Sequence, residues 1–206
     1  MAHSTLPPVS SPLIDRIWAT GEQKLLRQVV LAVIGAALIT LAAKIKVPFY
    51  PVPMTLQTLT VLLIGAAYGW RLGVMTVLLY LTQGLLGFPV FASTPPAIAG
   101  PAYFMGPTGG FLAGFLVSVM VAGYAVERGL ARSVPPLFAA FVLAESMVFT
   151  LGFTWLAHFA TLASGTTGLG SAKTWANAIQ PFLLGDLLKI SIAVALVTAF
   201  ARKTEA

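Results

Sequence analysis

Two charged residues, Asp186 and Lys189, lie within the apolar stretch 181–201 of this chain. About 20 helical residues at roughly 1.5 Å per residue span about 30 Å, the thickness of a bilayer's hydrocarbon core. A charge at that depth costs roughly 2.5–3.5 kcal/mol on insertion scales, so such residues indicate function. The i, i+3 spacing places both groups on one helix face. The pair therefore predicts a membrane-embedded site that accepts from N–H groups and offers a cation to a carbonyl or an anion.

The composition indicates what surrounds this site. Of the 206 residues, 58% are hydrophobic and only 9% are charged, whereas a soluble domain carries about 25% charged residues. We therefore expect the membrane to be the solvent of this chain. The net charge is +6, but no basic cluster accompanies it, which argues against nucleic acid as a partner. Because the chain has no Cys, disulfides, thiolate metal sites and cysteine nucleophiles are excluded, and we expect no metal and no cofactor.

Apolar runs separated by proline, glycine or charge predict an all-α, polytopic membrane protein with six transmembrane helices. The expected helices are residues 26–43, 56–68, 72–86, 110–126, 137–159 and 181–201. The second and third runs are short and are separated only by Gly69, Trp70 and Arg71. We assign residues 1–25 to an N-terminal tail without a cleaved signal peptide, 26–201 to one transmembrane domain and 202–206 to a C-terminal tail.

The distribution of basic residues predicts the orientation. With the N-terminus inside, the inner segments hold eight Lys or Arg residues and the outer segments hold three, namely Lys44, Lys46 and Lys173. The positive-inside rule therefore places both termini in the cytoplasm. The last helix then enters from the outer face, with Asp186 and Lys189 about 7 and 12 Å below that edge. We expect the site to open outward.

Two predicted outer loops lie next to the expected outward opening of the site. The first, residues 46–53, is stiffened by three prolines, because proline fixes its own φ and restrains the preceding residue. The second, residues 87–107, contains no charged residue but has several aromatic residues and prolines. An uncharged loop of this length indicates either a lid over a ligand or a segment packed against helix ends.

Five segments of the chain resemble the BioY family, which supplies the substrate-capture (S) components of energy-coupling-factor transporters for biotin. They are PVPMTLQTL at 51–59, YLTQGLLGFPVF at 80–91, GPTGG at 106–110, GFTWLA at 152–157 and PFLLGDLLK at 181–189. The resemblance covers about residues 25–200 and implies the S-component fold, biotin as ligand and a bacterial cytoplasmic (inner) membrane location. It also implies a membrane coupling protein and two ATPase subunits on other chains, since no phosphate-binding loop motif occurs here.

Biotin suggests roles for the polar candidates. Asp186 can accept from the ureido N–H groups, and Lys189 suits either the ureido carbonyl or the valerate carboxylate. Gln57 and Gln83 lie near the outer ends of the second and third helices, where an amide can both donate and accept. Residues expected to line the ring system and the alkyl tail are Thr55, Tyr80, Tyr103, Phe104 and Trp155. Mutual neutralisation of the charged pair, polar helix ends without a ligand, and aromatic anchoring at the interface remain the alternatives.

Two further features lie on other helices. Ala32, Gly35 and Ala36 form a small-residue face on the first helix, where another membrane helix can approach closely. We expect the coupling protein to dock there, with packing inside the chain as the alternative. Glu145 lies in the middle of the fifth helix. It either pairs with Lys189 or is a protonated structural carboxyl.

Biotin binding and uptake is the predicted function, and we expect no enzymatic activity. A stand-alone carrier and an S component for another vitamin are the alternatives within transport. An intramembrane enzyme using Glu145, His158 or Asp186 as acid–base groups is the alternative from another class. The sequence offers that enzyme no cysteine and no serine in a G-x-S-x-G turn.

Overall fold

Long apolar helices dominate the computed structural model, which describes residues 12–16, 24–94, 96–97 and 99–203. Within this part, five helical segments are long and apolar enough to cross a membrane. The α-helices are α1 (Lys24–Lys44), α2 (Gln57–Leu85), α3 (Pro101–Met105), α4 (Gly109–Glu127), α5 (Val134–His158), α6 (Ser171–Thr174) and α7 (Leu183–Lys203). Short 3-10 turns occupy Leu13–Arg16, Leu130–Arg132 and Gln180–Phe182, and a π-helical turn occupies Trp175–Ile179.

Helix α2 is a hairpin of two antiparallel arms, residues 57–68 and 70–85. Gly69 has φ 77° and ψ 172°, which interrupts the helical backbone. The Nε2 atom of Gln57 donates to the Tyr80 hydroxyl at 2.8 Å, although a straight helix would separate these residues by about 34 Å. At the turn, the Trp70 N–H donates to Glu127 Oε1 at 3.1 Å. The predicted break at residues 69–71, and with it the six-helix prediction, is therefore confirmed.

Glycine brings the central helix α4 into backbone contact with its neighbours. A Cβ atom at Gly65 in the first arm of α2 would lie 2.6 Å from the Val119 carbonyl oxygen of α4. A Cβ at Gly110 would lie 2.3 Å from the Trp155 Cβ of α5. Because lipid provides no hydrophobic drive between helices, such close approach stabilises the bundle through van der Waals contact.

The small-residue face of α1 is covered by α2 of the same chain. Ala36 is fully buried and Ala32 is 9% exposed. A Cβ at Gly35 would lie 2.5 Å from the Thr76 side chain and 3.1 Å from the Tyr68 ring. This close contact supports the alternative of packing inside the chain at Gly35, while docking of a coupling protein at Ala32, Gly35 and Ala36 stays a prediction. The small size of Gly35 permits the close contact between α1 and α2.

The segments that connect the long helices contain short strands and helices that the sequence analysis did not predict. Strands β1 (Lys46–Val47) and β2 (Met54–Thr55) form a short antiparallel hairpin, so the first predicted outer loop leads directly back to the start of α2. The second loop contains the short helix α3. The sixth predicted helix starts two residues later than expected as α7, after the turns that begin at Ser171. These connections position the side chains described next.

Candidate functional site

A small cavity of about 60 Å³ lies between the β-hairpin, the loop before α3 and helices α2, α4, α5 and α7. Its walls are mainly apolar, with phenylalanines from α4 and α5 and a methionine from β2. The polar lining side chains include Thr55, Gln57, Thr58, Glu145, Asp186 and Lys189. Mainly apolar walls with a few convergent polar groups are typical of small-molecule sites.

Asp186, Lys189 and Thr58 form a hydrogen-bonded triangle in this cavity. The Lys189 ammonium lies 2.7 Å from Asp186 Oδ1. The Thr58 hydroxyl donates to the same oxygen at 2.8 Å and accepts from Lys189 Nζ at 3.1 Å. Asp186 and Lys189 are only 5% and 8% exposed. The charges are therefore held by partners on two different helices.

This triangle leaves hydrogen-bonding capacity unused. A lysine ammonium has three donors, of which Asp186 and Thr58 take two. Among the described residues, the donors to Asp186 both reach Oδ1, and none reaches its second oxygen. Because buried polar groups are normally satisfied, the free N–H and the free oxygen together suit a ligand that both donates and accepts.

Asp186 lies close to the start of a helix. Helix α7 begins at Leu183, so Asp186 lies in its first turn. A carboxylate there is stabilised by the partial positive charge of the helix N-terminus. Gly185 permits the close approach of the β-hairpin, since a Cβ there would lie 2.8 Å from the Met54 sulfur. Thr58 lies in the first turn of α2, which brings a second helix start to the cavity.

Gln57 and Thr55, two of the predicted ligand contacts, line the cavity together, and Tyr80 lies behind them. The Gln57 amide donates to the Tyr80 hydroxyl at 2.8 Å and accepts from the Thr55 hydroxyl at 3.2 Å. Tyr80 is fully buried but does not belong to the cavity wall. Its position supports a role in orienting Gln57 rather than in direct ligand contact.

The loop before α3 and α3 itself contribute aromatic side chains to the wall. Phe91 and Tyr103 both line the cavity, and their rings stack with centroids 4.6 Å apart. Phe104 packs edge-on against Phe91 at 5.3 Å but does not line the cavity. Tyr103 thus lines the cavity directly, whereas Phe104 supports its wall through Phe91, and ligand contact by either residue stays a prediction.

Two lysines attach this loop to the end of α1. Lys44 Nζ donates to the carbonyl oxygens of Pro89 at 2.8 Å and Phe91 at 2.7 Å, and also to that of Thr94. Lys46 Nζ donates to the carbonyl of Ala92 at 2.6 Å. The two basic residues thus hold the loop segment that supplies Phe91 and Ala92 to the cavity wall.

Two predicted ligand contacts lie away from the cavity. Gln83 faces a separate surface groove together with Val33 and Thr40 of α1. Trp155 donates its indole N–H to the Gly106 carbonyl at 2.9 Å and fixes the turn before α4. The sequence predicts the depth of these residues along their helices, but helix packing determines which side of the helix faces the cavity.

Thr58 and Glu145 are cavity residues that were not among the predicted ligand contacts. The signal for Thr58 was its position one turn after Thr55, at the start of an apolar helix. Glu145 is 3% exposed, and its Oε1 accepts from the Ser118 hydroxyl at 3.4 Å. The described residues contain no ion pair between Glu145 and Lys189, because Lys189 pairs with Asp186. Among the described residues, no group of three His, Cys, Asp or Glu side chains could hold a metal ion.

Comparison with known proteins identifies similar chains over most of this length. A protein from Pyrococcus horikoshii described as "Probable biotin transporter BioY" is 33% identical, with 82% of this chain and 92% of that protein aligned. "Biotin transporter BioY" of Thermotoga maritima is 32% identical over 87% of this chain and 98% of that protein.

The fold also matches a solved structure, the S-component for biotin from an ECF-type ABC transporter. The match has a TM-score of 0.73 at 21% identity and covers 89% of this chain and 95% of the other. It supports the fold alone. The model of the BioY family matches residues 13–206, and the chain therefore belongs to the BioY family.

Proposed function

We propose that this chain binds biotin in the cavity around Asp186 and Lys189 and serves as the S component of an energy-coupling-factor transporter. The observation that carries this proposal is the incompletely satisfied triangle of Asp186, Lys189 and Thr58 inside a cavity that is otherwise mostly apolar. The names of the aligned relatives supply the ligand, since they are described as biotin transporters.

Biotin has polar and apolar parts, which match the polar and the apolar side chains that line the cavity. Its ureido N–H groups are donors for the free oxygen of Asp186, and its rings and alkyl chain suit the phenylalanines of α4 and α5. Lys189 can donate its third N–H to either the ureido carbonyl or the carboxylate. Burial of the apolar part contributes about 25 cal/mol per Å², while the polar contacts provide specificity because unpaired buried groups are costly.

The transport role requires partners on other chains. We propose a membrane coupling protein and two ATPase subunits, in a bacterial cytoplasmic membrane with both termini of this chain inside. Support for the orientation comes from the eight basic residues assigned to inner segments against three in outer ones. In this orientation the β-hairpin and the loop held by Lys44 and Lys46 face outward, where biotin enters.

A direct test is calorimetric titration of biotin into the purified chain in lipid nanodiscs, with mass spectrometry of any copurified ligand. We expect saturable, stoichiometric binding of biotin without turnover, and much weaker binding of other vitamins. Absence of biotin binding, or selective binding of another vitamin, would contradict the ligand assignment. Uptake by cells with and without the coupling protein and ATPases then tests whether the chain depends on that module.

A further inference from the structure

Glu145 is a cavity residue with one carboxyl oxygen that lacks a hydrogen-bond partner among the described residues. The residue lines the same cavity as Asp186 and Lys189 and is 3% exposed. Its Oε1 accepts from Ser118, whereas its Oε2 is buried without a hydrogen-bond partner among the described residues. A buried oxygen of this kind costs free energy unless a donor reaches it. A ligand in the cavity is the available source of that donor.

The charges around Glu145 indicate what kind of group it meets. The acidic and basic side chains that line the cavity are Glu145, Asp186 and Lys189. The Lys189 ammonium is paired with Asp186 at 2.7 Å. A ligand carboxylate next to Glu145 would lie close to the Asp186 carboxylate, and the one ammonium of the site is already paired with Asp186. Like charges in a poorly solvated site repel strongly, so a neutral group with N–H donors is the better match.

We propose that Glu145 is a second specificity-determining residue, which accepts one ureido N–H of biotin while Asp186 accepts the other. The inference rests on the proposed function. The two N–H groups of a cyclic urea diverge on either side of its carbonyl, so acceptors on two different helices suit them better than a single side chain. Lys189 then donates its remaining N–H to the ureido carbonyl between them, and the valerate carboxylate lies toward the loops.

The first experiment uses the unaltered protein and two biotin derivatives, each methylated at one ureido nitrogen. Each methyl group removes one donor. We expect both derivatives to bind about tenfold to 150-fold more weakly than biotin, the range for one charge-assisted hydrogen bond. If either derivative binds as tightly as biotin, the corresponding N–H has no acceptor and the proposal is overturned. If biotin itself does not bind, the proposed function fails instead.

The second experiment identifies which nitrogen faces Glu145. In Glu145→Leu we expect weaker biotin binding, and we expect methylation of one nitrogen to cause little further loss because its acceptor is already absent. Methylation of the other nitrogen, which faces Asp186, should keep its full effect. Unchanged penalties for both derivatives would assign Glu145 a structural role only and overturn the proposal.

Two further variants control for burial and folding. Thr198→Val removes a buried hydroxyl that also lacks a hydrogen-bond partner among the described residues but lies on α7 outside the cavity, and it should leave biotin affinity unchanged. Glu145→Gln keeps the shape and can still accept from the ligand while donating to Ser118, so it should bind more tightly than Glu145→Leu. If Glu145→Leu does not fold, the comparison of the two derivatives is made in Glu145→Gln, where the penalty at one nitrogen should shrink. Equal affinity of parent, Gln and Leu variants for biotin would overturn the proposal.

Discussion

The Lys189 ammonium lies 2.7 Å from Asp186 Oδ1, one turn away on the same helix and inside a membrane cavity. The contact alone does not explain why the pair is present, since replacing a buried ion pair by apolar residues is often neutral or stabilising. What distinguishes this pair is the Thr58 hydroxyl, which bonds both charges, together with the donor and acceptor that remain free. These features favour a ligand site over mutual neutralisation.

Substitution of the pair tests this interpretation. Asp186→Asn turns a carboxylate oxygen into an N–H donor, and Lys189→Met removes the cation while keeping an unbranched apolar chain. Loss of a charge-assisted hydrogen bond costs roughly 1.5–3 kcal/mol, or about 10- to 150-fold in affinity. We expect both single variants and the double variant to bind biotin weakly in a calorimetric titration while remaining monodisperse. Recovery of parental affinity in the double variant would show that the charges only neutralise each other.

Thr58 provides an isosteric test of the triangle. Thr58→Val keeps the shape but removes the hydroxyl that donates to Asp186 and accepts from Lys189. We expect biotin affinity to fall about fivefold to tenfold, since a neutral hydrogen bond contributes roughly 1 kcal/mol and a charged partner raises this. Thr60→Val on the same helix is the matched control, because among the described residues the Thr60 hydroxyl donates only to the carbonyl of Leu56, which directly precedes that helix. Equal effects of the two substitutions would argue against a specific role for Thr58.

Lys44 tests whether the loop before α3 acts as a lid. Its ammonium donates to three carbonyl groups of that loop, so Lys44→Met should loosen the segment that carries Phe91. We expect biotin to dissociate several-fold faster in a stopped-flow chase, because most affinity changes at one site appear in the dissociation rate. Lys173→Met is the control, a predicted outer lysine on α6. An unchanged dissociation rate in Lys44→Met would indicate that the loop does not gate the ligand.

Gly110 tests the close packing of α4 on α5. A Cβ there would lie 2.3 Å from the Trp155 Cβ and 2.5 Å from the Leu151 carbonyl oxygen. Since backbone cannot move aside as a flexible side chain can, Gly110→Ala should destabilise the fold by about 1–3 kcal/mol. The thermal unfolding temperature in detergent reports this loss. Gly185→Ala meets the flexible end of Met54 instead and should be milder; a reversed order would refute the packing argument.

The orientation is testable with reporter fusions. If the charge distribution governs insertion, a reporter after Ala206 should be active in the cytoplasm and one inserted at Pro96 should be active outside. The Asp186 cavity would then open to the outer face, where biotin is captured. The reversed pattern would place the same cavity on the cytoplasmic side and remove the uptake function.

The sequence alone determined that the chain lies in a membrane and which segments form its helices. It also determined that Asp186 and Lys189 can act as an acceptor and a cation on one helix face. Its low charge content required a membrane, its apolar runs gave six helices, and the i, i+3 spacing placed Asp186 and Lys189 on one face. Even the turn within α2 was marked by Gly69. These features follow from composition and from local periodicity, which act over a few residues and therefore need no knowledge of the neighbours.

Only the tertiary structure decided which faces of the helices contact each other and which face the cavity. Gln83 and Gln57 were equivalent candidates by depth, yet only Gln57 reaches the cavity. The small residues of α1 suited a partner chain or α2 equally well, and only the structure shows that Gly35 packs against α2. Thr58 and Glu145 join the site from helices far away in sequence. The rotation of each membrane helix is set by contacts between helices, because lipid and an apolar neighbouring helix are nearly equivalent surroundings for an apolar side chain.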